Sequence, residues 1–250
     1  METRSSFIYN KEAMISFKIK IANIVLLINA FHESTKRYCY DFLCDEKEDY
    51  EITMSEEDLI NEVTNSNNGH VYASEEISAL YRKIADLFIE RNIIVFHGSS
   101  FKVNNCGFIV TARSGVGKST HVKLLEQVIG DSFSYINDDK PLVSVNDDIT
   151  IYSSPWNGKE RRGNNNSALL KGVIFLNRSV DHTYRHIINK EEIYIKLLSQ
   201  IYLPKEKSKR EKALKIIDII LKKINFYEIN VNNDIESAKM TYKEIIKTCL

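Results

Sequence analysis

The sequence predicts an α/β protein built on a central mixed β-sheet with flanking helices. Three observations carry this reading. Short apolar runs of strand character recur between polar turns over residues 93–176. Two stretches, one following Ser74 and one over residues 213–224, instead repeat apolar residues at helical spacing. Between them, Ala112-Arg113-Ser114-Gly115-Val116-Gly117-Lys118-Ser119 joins an apolar strand to an amphipathic helix, the junction on which α/β folds are built.

Along the chain, Phe17, Ile19 and Ile21 alternate with Ser16, Lys18 and Lys20, the pattern of a half-buried strand. Residues 24–28 form a continuous apolar run suited to full burial. The string Asn65-Ser66-Asn67-Asn68-Gly69 reads as a loop. Ser74 is placed to cap a helix whose Ile77, Leu80, Tyr81, Ile84, Leu87 and Phe88 share one face. Residues 1–90 are therefore expected to be a strand and helix layer packed on a second domain, residues 91–250.

In that second domain, Ile93-Ile94-Val95-Phe96 and Cys106-Gly107-Phe108-Ile109-Val110 read as strands, with Cys106 a buried apolar residue. A helix is expected over 119–129. Ser134-Tyr135-Ile136, Leu142-Val143, Ile149-Thr150-Ile151-Tyr152 and residues 168–176 read as further strands. Ala213, Leu214, Ile217, Ile220, Leu221 and Ile224 make one helical stripe. Residues 225–231 look like a last strand and 235–246 a closing helix. There is no internal repeat and no low-complexity linker.

A length of 250 residues fits one large domain or two small ones. It is enough to bury about three-quarters of the unfolded surface without disulfides. The 34 basic and 34 acidic residues cancel, which argues against an electrostatic grip on nucleic acid. With 43% hydrophobic and 27% charged residues the composition is that of a folded globular protein. Cys39, Cys44, Cys106 and Cys249 include no C-x-x-C pair, and no His cluster completes a zinc site. The longest apolar stretch, 19–31, contains Lys20, Asn23 and Asn29 and is short of the roughly 20 residues that span a bilayer. The first ten residues have no apolar signal core behind Arg4. A cytoplasmic protein with neither a nucleic-acid nor a membrane partner is expected.

The 112–119 string fits the phosphate-loop pattern, with Ala112 in place of the first glycine. Gly115 and Gly117 let the backbone curl so that successive N–H groups face one anion. The helix N-terminus adds its partial positive charge. Lys118 can reach the β- and γ-phosphates of a nucleotide, and the Ser119 hydroxyl can ligate Mg²⁺. Arg113, Ser114, Val116 and Thr120 complete the nucleotide-binding segment. The plain alternative is a glycine-rich turn.

Asn137-Asp138-Asp139 ends the next short strand. Two adjacent carboxylates at a strand end can divide labour, one supporting a metal and the other accepting a proton from an attacking hydroxyl. The alternative is an acidic turn before Pro141. His97-Gly98 closes a neighbouring strand, where His97 can orient or share the proton of the base. Residues 155–162 are the substrate-side candidate. Trp156 can pack or stack on a ligand, and Lys159, Arg161 and Arg162 can steady phosphate or an acidic acceptor. The alternative there is a solvated basic loop. Asn164-Asn165-Asn166 beside it suggests a flap that orders with substrate. The cations of 205–212 read as the solvated first turns of a helix.

His97-Gly98, then Ser114-Gly115-Val116-Gly117-Lys118-Ser119, then Asp138-Asp139 together resemble the C-terminal kinase domain of HPr kinase/phosphorylase, a family related in fold to phosphoenolpyruvate carboxykinase. A closer likeness is to HPr-kinase-like bacterial proteins. It rests on residues 111–121, on Ile136-Asn137-Asp138-Asp139-Lys140-Pro141-Leu142 and on Ser154-Pro155-Trp156-Asn157-Gly158-Lys159-Glu160. The resemblance implies an HPr-kinase-like phosphate-loop fold. It also implies that Lys118 and Ser119 hold phosphate and Mg²⁺, that Asp138 supports the metal, that Asp139 is the base and that His97 assists it. Two departures stand out. Thr120 follows the loop serine where the phosphorylase members have Glu, and their later Glu-x-Arg-Gly-Leu-Gly segment is replaced by the 155–159 string. These leave HPr recognition and phosphorolysis without a counterpart here.

The function expected is an ATP- and Mg²⁺-dependent kinase acting on a hydroxyl acceptor. By resemblance that acceptor is a serine or threonine of a peptide or small protein, or the free amino acid. Two alternatives stay open: a regulatory module that binds ATP without transfer, and a kinase of a polyol or other metabolite. HPr kinases assemble as hexamers, so a homo-oligomer belongs to the same expectation.

Overall fold

In the computed structural model, residues 14–66 and 73–247 are described, the side chains of 64–66 excepted. The chain divides into two compact units, Met1–Ile84 and Ala85–Leu250. The division falls within a helix, α3 (Ala73–Ile89).

The first unit begins with β1 (Ile15–Ile21) and β2 (Ile24–Ala30), an antiparallel hairpin. Ala22 and Asn23 both adopt positive φ, 51° and 63°, as the two-residue turn between twisted strands demands. Period-two patterning places Phe17, Ile19 and Ile21 in the core. The expectation of full burial for 24–28 is corrected. Ile24 and Leu27 are only half-buried, and Asn29, on the same face as Leu27, bonds Ser16, Glu51 and Thr53. One face of this three-stranded sheet is therefore polar. β3 (Tyr50–Thr53) completes it, parallel to β2. α1 (Glu33–Tyr38) and α2 (Glu56–Ser66) follow the strands. Glu76 of α3 is fully buried and accepts from the N–H groups of Phe31 and His32 and from Thr35 Oγ1. Ser74 lies inside the first turn of α3 rather than capping it, with its hydroxyl on Glu75. Of the expected loop 65–69, Asn65 and Ser66 close α2, and the rest lies outside the described residues, as do the first ten residues and Cys249.

The second unit is a nine-stranded mixed sheet. Its strands are β4 (Ile93–Val95), β5 (Ser99–Val103), β6 (Cys106–Thr111), β7 (Phe133–Asn137), β8 (Leu142–Ser144), β9 (Thr150–Tyr152), β10 (Ser167–Arg178), β11 (Thr183–His186) and β12 (Asn225–Val231). They run in the order β4-β8-β9-β10-β6-β5-β7, with β12 on β10 and β11 on β12. β6 and β12 lie parallel to the long strand β10, and the remaining pairs are antiparallel.

Strand alternation sends side chains to two opposed cores. Ile109, Val173, Phe175 and Phe226 join Ile193 and Leu197 of α5 (Lys190–Leu198) and Ile217 of α6 (Lys207–Lys223). Val110, Ile174 and Ile229 meet Val122 and Leu125 of α4 (Lys118–Ile129) and Ala238 of α7 (Ile235–Thr241). The sheet is thus covered on both faces. The expected closing helix divides into α7 and a single π turn, Tyr242–Ile246. Cys106 is half-buried, not buried. Within 205–212, Lys209 pairs with Glu206 and Lys212 with Glu90 at the start of α6. Among the described residues no helix is long and apolar enough to cross a membrane.

Candidate functional site

β6 delivers the glycine loop of residues 112–117. It ends at Thr111, and α4 begins at Lys118, so residues 112–117 are the turn between them. Gly117, the residue before α4, has φ +103°, a left-handed conformation natural to glycine. A Cβ there would also collide with the Asn233 amide, which donates to the Val116 carbonyl at 3.1 Å. Gly115 has φ +81°, with nothing near the place of its missing Cβ, so the crest of the loop is open. The Val116 N–H closes on the Arg113 carbonyl at 3.3 Å. Arg113, Ser114, Ser119 and Thr120 are exposed at the loop's rim and the first turn of α4.

Lys118 points from that first turn toward the end of β7, its Nζ 3.3 Å from the Asp138 carbonyl. Burial pulls its ammonium below the ordinary value, while Asp139 and Asp138 hold it up. β7 ends at Asn137, and the chain then tightens so that the two aspartates diverge. Asp138 is buried, and its Oδ1 accepts the Gly158 N–H. Burial raises its carboxyl, against the Gly158 and Arg162 backbone N–H groups and Lys118, which favour the ionised form. Asp139 faces the other way. Its Oδ1 is 3.4 Å from His97 Nε2 and 3.7 Å from Lys140 Nζ.

His97 follows β4, where its backbone N–H donates to the Gln200 carbonyl at 2.7 Å. Thr111 Oγ1 lies 2.9 Å from the His97 carbonyl and 2.6 Å from Gln200 Oε1, tying the end of β6 to the same corner. Burial holds the imidazole below its ordinary pKa, helped by Lys140 and Lys118 and opposed by Asp139. That direction favours the uncharged imidazole, which is the form able to take a proton.

The substrate-side candidates separate. Trp156 is 7% exposed, so its ring is packed and offers no open face for stacking, which corrects that part of the sequence reading. Its carbonyl accepts the Lys140 N–H at 3.2 Å. Arg162 is drawn inward. It donates to Tyr135 Oη at 2.9 Å, lies 5.4 Å from the centre of that ring and pairs with Glu160. Lys159 and Arg161 are exposed. Gly163 returns the loop toward β7 with φ +120°, so close that a Cβ would run into the Ile136 carbonyl. Residues 155–163 thus cover Asp138 and are anchored at both ends.

The structure brings Lys118, Asp138, Asp139 and His97 to one corner beside the loop. No group of three or more His, Cys, Asp or Glu side chains able to hold a metal occurs among the described residues. Sequence reasoning gave no role to Asn137, Thr111, Tyr135, Gln200 or Asn233. Asn137 stood in the Asn-Asp-Asp string, whereas Gln200 and Asn233 carry no local signal, being brought in by tertiary packing alone.

No protein-family model matches the sequence, and no curated protein does. Among solved structures the chain is similar to the Hpr(Ser) kinase/phosphatase from Coxiella burnetii, at 9% sequence identity. The likeness covers 62% of this chain and 92% of that one, with a TM-score of 0.36.

Proposed function

We propose that residues 91–250 are the catalytic domain of an ATP- and Mg²⁺-dependent kinase that transfers the γ-phosphoryl group to a hydroxyl. The acceptor class is a serine or threonine of a peptide or small protein, or the free amino acid. The observation that carries the reading is the convergence of Lys118, at the mouth of an open glycine loop, with the His97–Asp139 pair. Phosphoryl transfer needs positioned phosphate, charge neutralisation and a base, and each has a residue here.

The open crest at Gly115 and the left-handed Gly117 fit a polyphosphate lying against loop N–H groups at the start of α4. Ser119 and Asp138 would hold Mg²⁺, which supplies positive charge to the β- and γ-phosphate oxygens when bound. Lys118 neutralises the same oxygens as charge moves toward the leaving ADP. Asp139 accepts the acceptor's proton while the new O–P bond forms and the bond from the γ-phosphorus to the bridging oxygen breaks. Neutral His97 then relays that proton to solvent. Arg161 and Lys159 on the 155–163 loop steady the acceptor side. No nucleic acid or membrane partner enters this scheme, which operates in the cytoplasm. A homo-oligomer is compatible with it.

The test is ADP release with Mg²⁺-ATP against free serine and threonine, Ser-containing peptides, HPr and common polyols, with Asp139→Asn in parallel. The kinase reading expects acceptor-dependent turnover that the variant loses by about 10²- to 10⁴-fold, the usual weight of a general base. ATP binding should survive. Turnover unchanged in Asp139→Asn would overturn the assignment of the base.

A further inference from the structure

We infer that Asn137 is a positioning residue: its buried amide sets the turn from which Asp138 and Asp139 diverge, and so fixes Asp139 against His97. Its catalytic meaning rests on the kinase reading above, but its geometry does not.

Asn137 is fully buried at the end of β7. Its Oδ1 accepts two successive backbone N–H groups, from Asp139 at 2.9 Å and from Lys140 at 2.7 Å. Its Nδ2 donates to the Ser154 carbonyl at 3.0 Å and lies 3.2 Å from Ser154 Oγ, while that hydroxyl donates to the Lys140 carbonyl at 2.6 Å. One side chain thus joins the aspartate turn to the start of the 155–163 loop. The backbone around it is tied as well. Ser100 Oγ donates to the Asn137 carbonyl at 3.0 Å and Ser99 Oγ to the Asp138 carbonyl at 3.1 Å. The Gly98 N–H donates to the Asp139 carbonyl at 2.9 Å. Asp139 is therefore held by its N–H through Asn137 and by its C=O through Gly98, the residue next to His97. That double tie gives the 3.4 Å approach of the two side chains a rigid base.

The residue type follows from this bonding. Two N–H groups facing one acceptor, with a carbonyl facing one donor, call for a side chain carrying both functions at that reach. Alanine would strand the Asp139 N–H and the Ser154 carbonyl and leave the Lys140 N–H to the Trp156 carbonyl alone. Aspartate would accept the same two bonds but turn a carboxylate toward the Ser154 carbonyl.

The experiment is an NMR titration of the His97 imidazole in the full chain, assigned with His97→Gln, in the wild type, Asp139→Asn and Asn137→Ala. The charged groups facing His97 are Asp139, Lys140 and Lys118. Asp139 favours the protonated ring, so Asp139→Asn lowers the titration midpoint. If Asn137 holds Asp139 in place, folded Asn137→Ala lowers it in the same direction, by roughly half of that shift or more. A midpoint unchanged from the wild type in a folded variant overturns the proposal. Should Asn137→Ala not fold, Asn137→Ser, which keeps a shorter acceptor, carries the same comparison. The titration uses neither ATP nor acceptor. Its failure is thus distinguishable from failure of the kinase reading, which would appear as absence of acceptor-dependent ADP release from the wild type. Where turnover is measured, Asn137→Ala should lower kcat about tenfold or more with KM for ATP within about twofold, the split expected of a group that orients a base. A rise in that KM with kcat retained would also overturn it.

Discussion

His97 Nε2 lies 3.4 Å from Asp139 Oδ1 although the two residues come from the ends of different strands. The imidazole is held below its ordinary value of 6.5, chiefly by burial, while the carboxylate opposes that effect. On the proposed kinase reading, the acceptor-dependent rate should therefore fall with acid as His97 takes up a proton, through a midpoint below 6.5. A pH–rate profile checks this, and His97→Gln should flatten that limb while lowering the plateau.

Lys118 is the cation beside the glycine loop, and its Nζ lies 3.3 Å from the Asp138 carbonyl. Wild-type protein with Mg²⁺-ATP at about a hundred times its Kd should gain about 2.7 kcal/mol of stability. Lys118→Gln should lose most of that gain. Thermal melts with and without nucleotide read the difference, and an equal ATP-induced shift in both proteins would remove Lys118 from the phosphate site.

His121, just past the loop, is buried between α4 and α7. Its Nε2 is 3.1 Å from Thr241 Oγ1 and its Nδ1 3.5 Å from Ser237 Oγ. Burial drives its pKa from 6.5 to about 4, with Asp234 opposing and His182 adding to the shift. The sign is that of a depressed histidine. The unfolded chain binds the proton first, so stability is full above 6.5 and is lost as pH falls toward 4. At about pH 5 the loss is on the order of 2 kcal/mol. Urea unfolding near neutrality and at about pH 5 measures it, and His121→Gln should remove most of the acid dependence.

Gly163 brings the 155–163 loop back onto β7 with a left-handed φ of +120°. Gly163→Ala adds both backbone strain and a clash with the Ile136 carbonyl, together about 1–3 kcal/mol or more. The loop should lift from Asp138, seen as faster amide exchange at Gly158, whose N–H that carboxylate accepts. Protection at Gly158 unchanged from the wild type would show that the loop tolerates the substitution.

Legibility in the sequence followed the range of the interaction. β6, β10, β12, α4 and α6 were visible because each carries its own apolar period, and their observed bounds differ from the pattern by a few residues. β5, Ser-Ser-Phe-Lys-Val, was missed because only two of its five residues are apolar. Its serines are buried as donors to the aspartate turn, not as hydrophobes. β11 was missed because all four residues are exposed and only pairing with β12 makes them a strand. Trp156 shows the limit for single residues: composition marks it as notable but cannot say which way the ring turns.

The sequence alone determined the α/β class, the glycine loop between strand and helix, and the paired aspartates, since these depend on neighbours within a few residues. Tertiary structure alone decided that His97 meets Asp139, that Asp138 turns into the 155–163 loop, and that Asn137, Gln200 and Asn233 brace the corner. Apart from the bonds Asn137 makes within its own turn, those contacts join residues far apart in the chain, and only sheet order and close packing bring them within hydrogen-bonding distance.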